Sequence, residues 1–138
     1  LRAEPDEVQA LLKDLLISVT NFFRDKAAFA ALEQEVLPRI FAGKGAGDEV
    51  RLWVVGCATG EEAYSVAMLC AERTFELPDA PAVQVFATDI DEAAIARSRA
   101  GLYTSADIAD VSRERLRRFF TFEDERYRVR PELRELVL

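Results

Sequence analysis

The spacing of apolar residues changes several times along the chain, and each change marks an element. Residues 7–17 repeat at helical spacing behind Asp6, a candidate N-cap. Residues 18–25 break that pattern and read as a structured loop. A second helical stripe (Phe29, Leu32, Val36, Leu37, Ile40, Phe41) spans Lys26 to Ala42, with Asp25 placed to cap it and Pro38 placed to kink its last turn. Gly43 to Asp48 is a flexible connection. Val50 to Val55 is then a short apolar, β-branched run, expected to be a buried strand.

Gly56 to Gly60 is a tight turn. From Glu61 to about Phe75 the period becomes helical again, with Ala63, Val66, Ala67 and Cys70 on one face. After a proline-containing crossing at residues 77–82, Val83 to Thr88 reads as a second buried strand. A right-handed crossover makes it parallel and adjacent to the first. Asp91 caps a helix over residues 92–100, which Gly101 stops. Residues 102–110, including Tyr103, read as a loop. Ser112 caps a short basic helix, residues 113–120. Residues 121–129 read as a hairpin turning at 123–126, residues 131–135 as a turn, and residues 136–138 as a third strand. The alternation of strands and helices is that of an α/β fold, and the strand–glycine turn–helix unit at 50–75 opens a nucleotide-binding βαβ.

The chain has 138 residues, 50% of them hydrophobic, enough for one core. Leu1 in place of methionine suggests a fragment of a longer protein. A net charge of −7 argues against nucleic acid as a partner. No run is long and apolar enough to span a membrane. There is no histidine, which removes histidine bases and histidine-ligated metals, and the two cysteines are spaced as reduced thiols. A Cys57 nucleophile has no obvious base beside it.

The turn narrows the ligand. Gly56 permits the sharp turn, the small Ala58 lets a ligand approach the backbone, and Gly60 permits close helix packing. No Lys-Ser or Lys-Thr follows, so this is not a P-loop. Glu61 and Glu62 occupy the helix start, where a pyrophosphate would otherwise bind. Two carboxylates repel a phosphate and favour a ligand carrying an ammonium, a sulfonium or free hydroxyls; the plainer reading is that they complement the helix dipole. Asp89, at the carboxyl end of the second strand, is suited to the two hydroxyls of an adenosine ribose, or serves as a loop acid. Asp91 fits a cap better. A phosphate-free nucleoside of positive character is S-adenosyl-L-methionine.

Four stretches now carry a resemblance: Thr20-Asn-Phe-Phe-Arg24, Gly56-Cys-Ala-Thr-Gly-Glu-Glu-Ala-Tyr-Ser65, Phe86-Ala-Thr-Asp-Ile-Asp91, and Asp110-Val-Ser-x-Glu-Arg-Leu-x-x-Phe-Phe120. In order and spacing they resemble the CheR family of chemotaxis receptor methyltransferases. The resemblance implies a class I, Rossmann-like methyltransferase domain over residues 18–138, the half with strand order 3-2-1, behind a remnant N-terminal helical region at residues 1–17. It implies cytoplasmic transfer of a methyl group from S-adenosylmethionine to glutamates on chemoreceptor cytoplasmic helices, with S-adenosyl-L-homocysteine as product.

By motif, Thr20 and Arg24 line the cofactor pocket, and Arg24 takes the methionine carboxylate or steers the substrate carboxylate. Glu62, or less directly Glu61, meets the cofactor's amino group, and Asp89 takes the ribose. Ser18 is a further polar contact, and Phe22 and Phe23 are packing. The second half of the sheet and a small β-subdomain that can grip a receptor tail are expected to lie outside this chain. That absence leaves the strand at 50–55 as an exposed edge, a route to self-association. The alternatives are a non-catalytic S-adenosylmethionine-binding or docking module and, third, an NAD-binding domain.

Overall fold

The computed structural model describes residues 5–16 and 19–138. Helix α1 is Pro5–Leu15, with Asp6 inside its first turn rather than at the cap. Ser18 lies outside the described residues. The second helical stripe is not one regular helix. It comprises α2 (Lys26–Ala31), a π-helical turn (Leu32–Val36) and α3 (Leu37–Phe41). Asp25 caps α2 by accepting the Ala28 N–H at 3.0 Å. Pro38 has no N–H to offer the carbonyl one turn back, and the turn before it widens so that the Leu37 N–H reaches the Leu32 carbonyl.

Strands β1 (Glu49–Val55) and β2 (Ala82–Thr88) are parallel and in register from Glu49↔Ala82 to Val55↔Thr88. Helix α4 (Glu61–Glu76) makes the crossover between them. Residues 136–138 continue the sheet on the far side of β2. The Val85 N–H donates to Leu136 O at 2.7 Å, and the Leu138 N–H donates to Val85 O at 2.9 Å. The order is therefore third-second-first, as expected. Val50, Val54, Val83 and Val85 point inward to the core, which also holds α4 residues such as Ala63, Ala67, Met68 and Cys70. The strands are not buried on both sides. Trp53 is 69% and Val55 67% exposed, and Phe86, the partner of Trp53, is also open to solvent. Strands expected to be buried are therefore covered on one face and open on the other.

Helix α5 (Glu92–Ala100) is capped by Asp91, which accepts the N–H groups of Ala93 and Ala94, and ends at left-handed Gly101. The expected loop after it contains a short strand, β3 (Leu102–Tyr103). Helix α6 (Arg113–Phe119) leads into the hairpin β4 (Phe120–Glu123) and β5 (Arg126–Val129). Asp124 and Glu125, at φ 48° and 59°, form its turn. The three strands make an antiparallel sheet in the order β3-β5-β4. The chain thus contains a small antiparallel sheet, the hairpin expected at residues 121–129 with β3 added from the expected loop. Residues 131–134 form a single helical turn, α7.

Candidate functional site

The turn between β1 and α4 is tied to the end of β2. The N–H groups of Gly56 and Cys57 both donate to Thr88 O, at 2.8 and 3.0 Å. Asp89 follows immediately. Its Oδ2 accepts the Ala58 N–H and its Oδ1 the Asp91 N–H, each at 2.8 Å. Ala58 is held at φ 46°, a conformation that costs a residue with a Cβ about 1–2 kcal/mol. Asp89 therefore braces the strained turn, and each of its oxygens retains a lone pair for a further donor.

Two neighbouring glutamates on α4 take opposite environments. Glu61 is 5% exposed and accepts the Thr59 hydroxyl at 2.6 Å. Burial pushes its carboxyl above the usual range, against the opposing pull of that hydrogen bond. Glu62 is exposed and lines the cavity. Adjacent helical positions are about 100° apart, so one acid faces the core and the other the cleft.

The segment from Val19 to Arg24 folds over this end of the sheet. Phe22 is fully buried, edge-on to Tyr103 and Phe120 at 4.9 and 5.7 Å. Phe23, at φ 51°, gives its N–H to Ser65 Oγ at 3.0 Å, and that hydroxyl donates in turn to Glu61 O at 2.6 Å. The two rings are packing, as expected. Tyr103 closes the floor by donating to Thr59 O at 2.7 Å.

These elements enclose a cavity of about 430 Å³ at the carboxyl ends of β1 and β2. Thr20, Arg24, Gly56, Ala58, Glu62 and Asp89 line it together with Asn21 and Asp91, and Leu15, Leu16, Val19 and Ile90 supply an apolar side. Gly60 and Glu61 do not line it; they form its support. Sequence reasoning did not single out Asn21 or the apolar wall. Asn21 was signalled only by sitting inside the Thr20–Arg24 motif. Arg24 and Glu62 also border a second cavity of about 700 Å³, with Lys26, Phe29, Leu32 and Val66. The Arg24 guanidinium donates to Val19 O.

Cys57 is buried, and burial, followed by the nearby Asp89, raises its thiol pKa. It is not a thiolate nucleophile at neutral pH. Among the described residues no helix is long and apolar enough to cross a membrane.

The residues fit a phosphate-free adenosyl ligand. A carboxylate ends β2, a second faces the cavity from α4, and a Cβ added at Gly56 would meet nothing within 4 Å, so the backbone there is open to close approach. A three-stranded half-sheet with this site at its carboxyl edge is that of a class I methyltransferase whose cofactor is S-adenosyl-L-methionine. The family described as "CheR methyltransferase, SAM binding domain" matches residues 18–138, and the chain belongs to it.

The chain is similar to "Chemotaxis protein methyltransferase 1" of Pseudomonas aeruginosa, at 36% identity over 86% of this chain and 44% of that protein. It is similar to "Chemotaxis protein methyltransferase" of Escherichia coli K12 at 32% identity, over 83% of this chain and 37% of that protein. It is also similar to the Rhodobacter capsulatus "Uncharacterized 104.1 kDa protein in hypE 3'region", at 38% identity over 96% of this chain but 14% of that protein. The chain therefore spans less than half the length of each of these relatives.

Proposed function

We propose that this chain is the cofactor-binding part of a cytoplasmic protein-glutamate O-methyltransferase acting on the helices of chemoreceptors. The observation that carries the reading is the convergence of Thr20, Arg24, Glu62 and Asp89 on one cavity at the carboxyl edge of the parallel strands. Thr20, Arg24, Glu62 and Asp89 would hold S-adenosylmethionine, which would supply an electrophilic methyl on a sulfonium for transfer to a substrate carboxylate.

Asp89 keeps lone pairs for the ribose hydroxyls while it braces Ala58. Glu62 faces the ligand's ammonium. Arg24, between the two cavities, holds a carboxylate, either the ligand's own or that of the incoming glutamate. Glu61 and Gly60 hold the loop from behind. The acceptor carboxylate is already ionised at neutral pH, so no base is required, and rate comes from alignment and from stripping water off the attacking oxygen. The small sheet β3-β5-β4 is suited to the receptor-gripping role that the family resemblance implies. Its outer strand β4 has one open edge among the described residues, with Arg113, Arg117 and Arg130 beside Phe122 and Tyr127.

Separate calorimetric titrations with S-adenosylhomocysteine and NAD test the site. Binding of S-adenosylhomocysteine alone is expected, weakened by Asp89→Ala and by Glu62→Ala. Heat with NAD alone would overturn the reading, and affinities unchanged in both variants would overturn the residue assignments.

The second reading is a non-catalytic binding or docking module in a multidomain protein. Its support is the Rhodobacter relative, of which the matched part is 14%. Radiolabelled methyl transfer to receptor membranes by the full-length polypeptide separates the two, and no transfer favours the module. The isolated chain, spanning less than half of these relatives, is expected to bind cofactor weakly and not to turn over.

A further inference from the structure

Arg115 lies outside the cavity, on α6, yet its guanidinium covers the Phe23 ring next to Arg24 while it pairs with acids of α4 and of the π-helical turn. Its Nε and Nη2 donate to Glu72 Oε1 and Oε2 of α4 at 2.9 and 2.8 Å, a two-pronged pair. The pair is largely shielded, with side chains 21% and 23% exposed. The same Nη2 reaches Glu33 of the π-helical turn at 3.4 Å. The guanidinium carbon sits over the Phe23 ring, 4.6 Å from its centroid.

Phe23 is the residue whose conformation most needs holding. It carries a bulky side chain at φ 51°, in the left-handed region. Three contacts keep it there: the Ser65 hydroxyl on its N–H, the edge-to-face ring of Phe29 at 5.2 Å, and Arg115 above it. The next residue is Arg24. A return of Phe23 to negative φ would swing the following peptide and redirect Arg24 away from the cavities it borders. Ser65 belongs to α4, the helix that presents Glu62, and ties the Phe23 backbone to it; Arg115 holds the Phe23 ring and ties α6 to the same helix through Glu72.

We propose that Arg115 is a positioning residue for the carboxylate end of the bound ligand, acting through Phe23 to aim Arg24. This rests on the reading that Arg24 faces the amino-acid end of S-adenosylmethionine. A plain strut between α6 and α4 would matter to the whole fold; a positioning residue matters selectively to ligands that carry the carboxylate. Lysine at this position keeps the charge but loses the fork and the flat face.

The test compares S-adenosylhomocysteine with 5′-methylthioadenosine, which shares the adenosine and lacks the amino-acid portion, by calorimetry on the full-length polypeptide. Arg115→Met is expected to weaken S-adenosylhomocysteine about tenfold and 5′-methylthioadenosine less than twofold, with Arg115→Lys between wild type and Arg115→Met for the first ligand. Equal weakening of both ligands, or no change in either, overturns the proposal. Should Arg115→Met fail to fold, Arg115→Lys carries the same comparison with the same criterion. Arg24→Ala is the control for the underlying reading and is expected to abolish the preference for S-adenosylhomocysteine. If Arg24→Ala keeps that preference, the Arg24 assignment falls and the proposal with it. If Arg24→Ala loses the preference and the Arg115 variants keep it, the link through Phe23 alone is wrong.

Discussion

At the scale of single residues, Asp89 and Glu61 show how far a sequence carries chemistry. Both are acids beside a glycine turn, and both are candidates for the ligand. Asp89 serves two ends at once: it satisfies the Ala58 and Asp91 N–H groups and still faces the cavity. Asp89→Asn turns an amide NH2 toward one of those N–H donors. The expected loss is about 1–3 kcal/mol of stability in urea unfolding, for a donor left without an acceptor, together with weaker S-adenosylhomocysteine binding. Retained stability would show that the loop does not depend on the carboxylate.

Glu61 is the opposite case. Burial holds its folded pKa above the ordinary value, so its contribution is full below the ordinary carboxylate range and is lost as pH rises through the raised value. Glu61→Gln still accepts the Thr59 hydroxyl and cannot ionise. Thermal melts are expected to show a higher Tm than wild type at pH 7, with the difference shrinking as pH falls into the carboxylate range. A difference that grows on acidification would contradict the assignment. The sequence showed two acids in the first turn, but which one faces inward depends on the roll of α4, and packing sets that roll.

At the scale of elements, the strand–turn–helix unit was legible because period and glycine spacing agreed. The contacts that fix the turn were not, because they come from elsewhere in the chain. Tyr103 sits on a two-residue strand, too short to show alternation, and Ser65 looks like an ordinary helical serine. The π-helical turn was legible only as Pro38, since the sequence marks the missing donor but not how the preceding turn adjusts.

Gly60 is where these distant parts meet. It adopts φ 96°, and a Cβ there would lie 2.2 Å from Ser98 Oγ, 2.9 Å from Ser98 Cβ and 3.0 Å from Tyr103 Oη. Gly60→Ala therefore combines overpacking with an unfavourable backbone and is expected to cost about 2–5 kcal/mol. Adding Ser98→Gly removes the closest clashes but not the backbone term. A double-mutant cycle in denaturant is expected to recover part of the loss, leaving about 1–2 kcal/mol from the left-handed conformation. Additive losses would mean that Ser98 does not set the approach.

At the scale of the whole molecule, the sequence predicted buried strands, and the structure leaves one face of them open at Trp53, Val55 and Phe86. The apolar run Val50–Val55 reads as a buried strand, but period alone does not say which segment covers each face. Among the described residues β1 pairs only with β2, and Trp53 and Val55 stand exposed on the uncovered face. An apolar face beside an open strand edge is a template for another chain. The isolated polypeptide is therefore expected to self-associate with rising concentration in light scattering. Trp53→Lys tests this sharply. The side chain is exposed and its indole donates only to the Thr88 hydroxyl at 3.0 Å, so its loss costs the core little. A charge there opposes stacking of two bare faces, and the variant is expected to stay monomeric at concentrations where the parent does not. Amide exchange gives the complementary readout, with β1 expected to be protected more at high concentration than at low. A parent that remains monodisperse and monomeric, with β1 amides already slow to exchange at low concentration, would mean that the edge is closed without a partner.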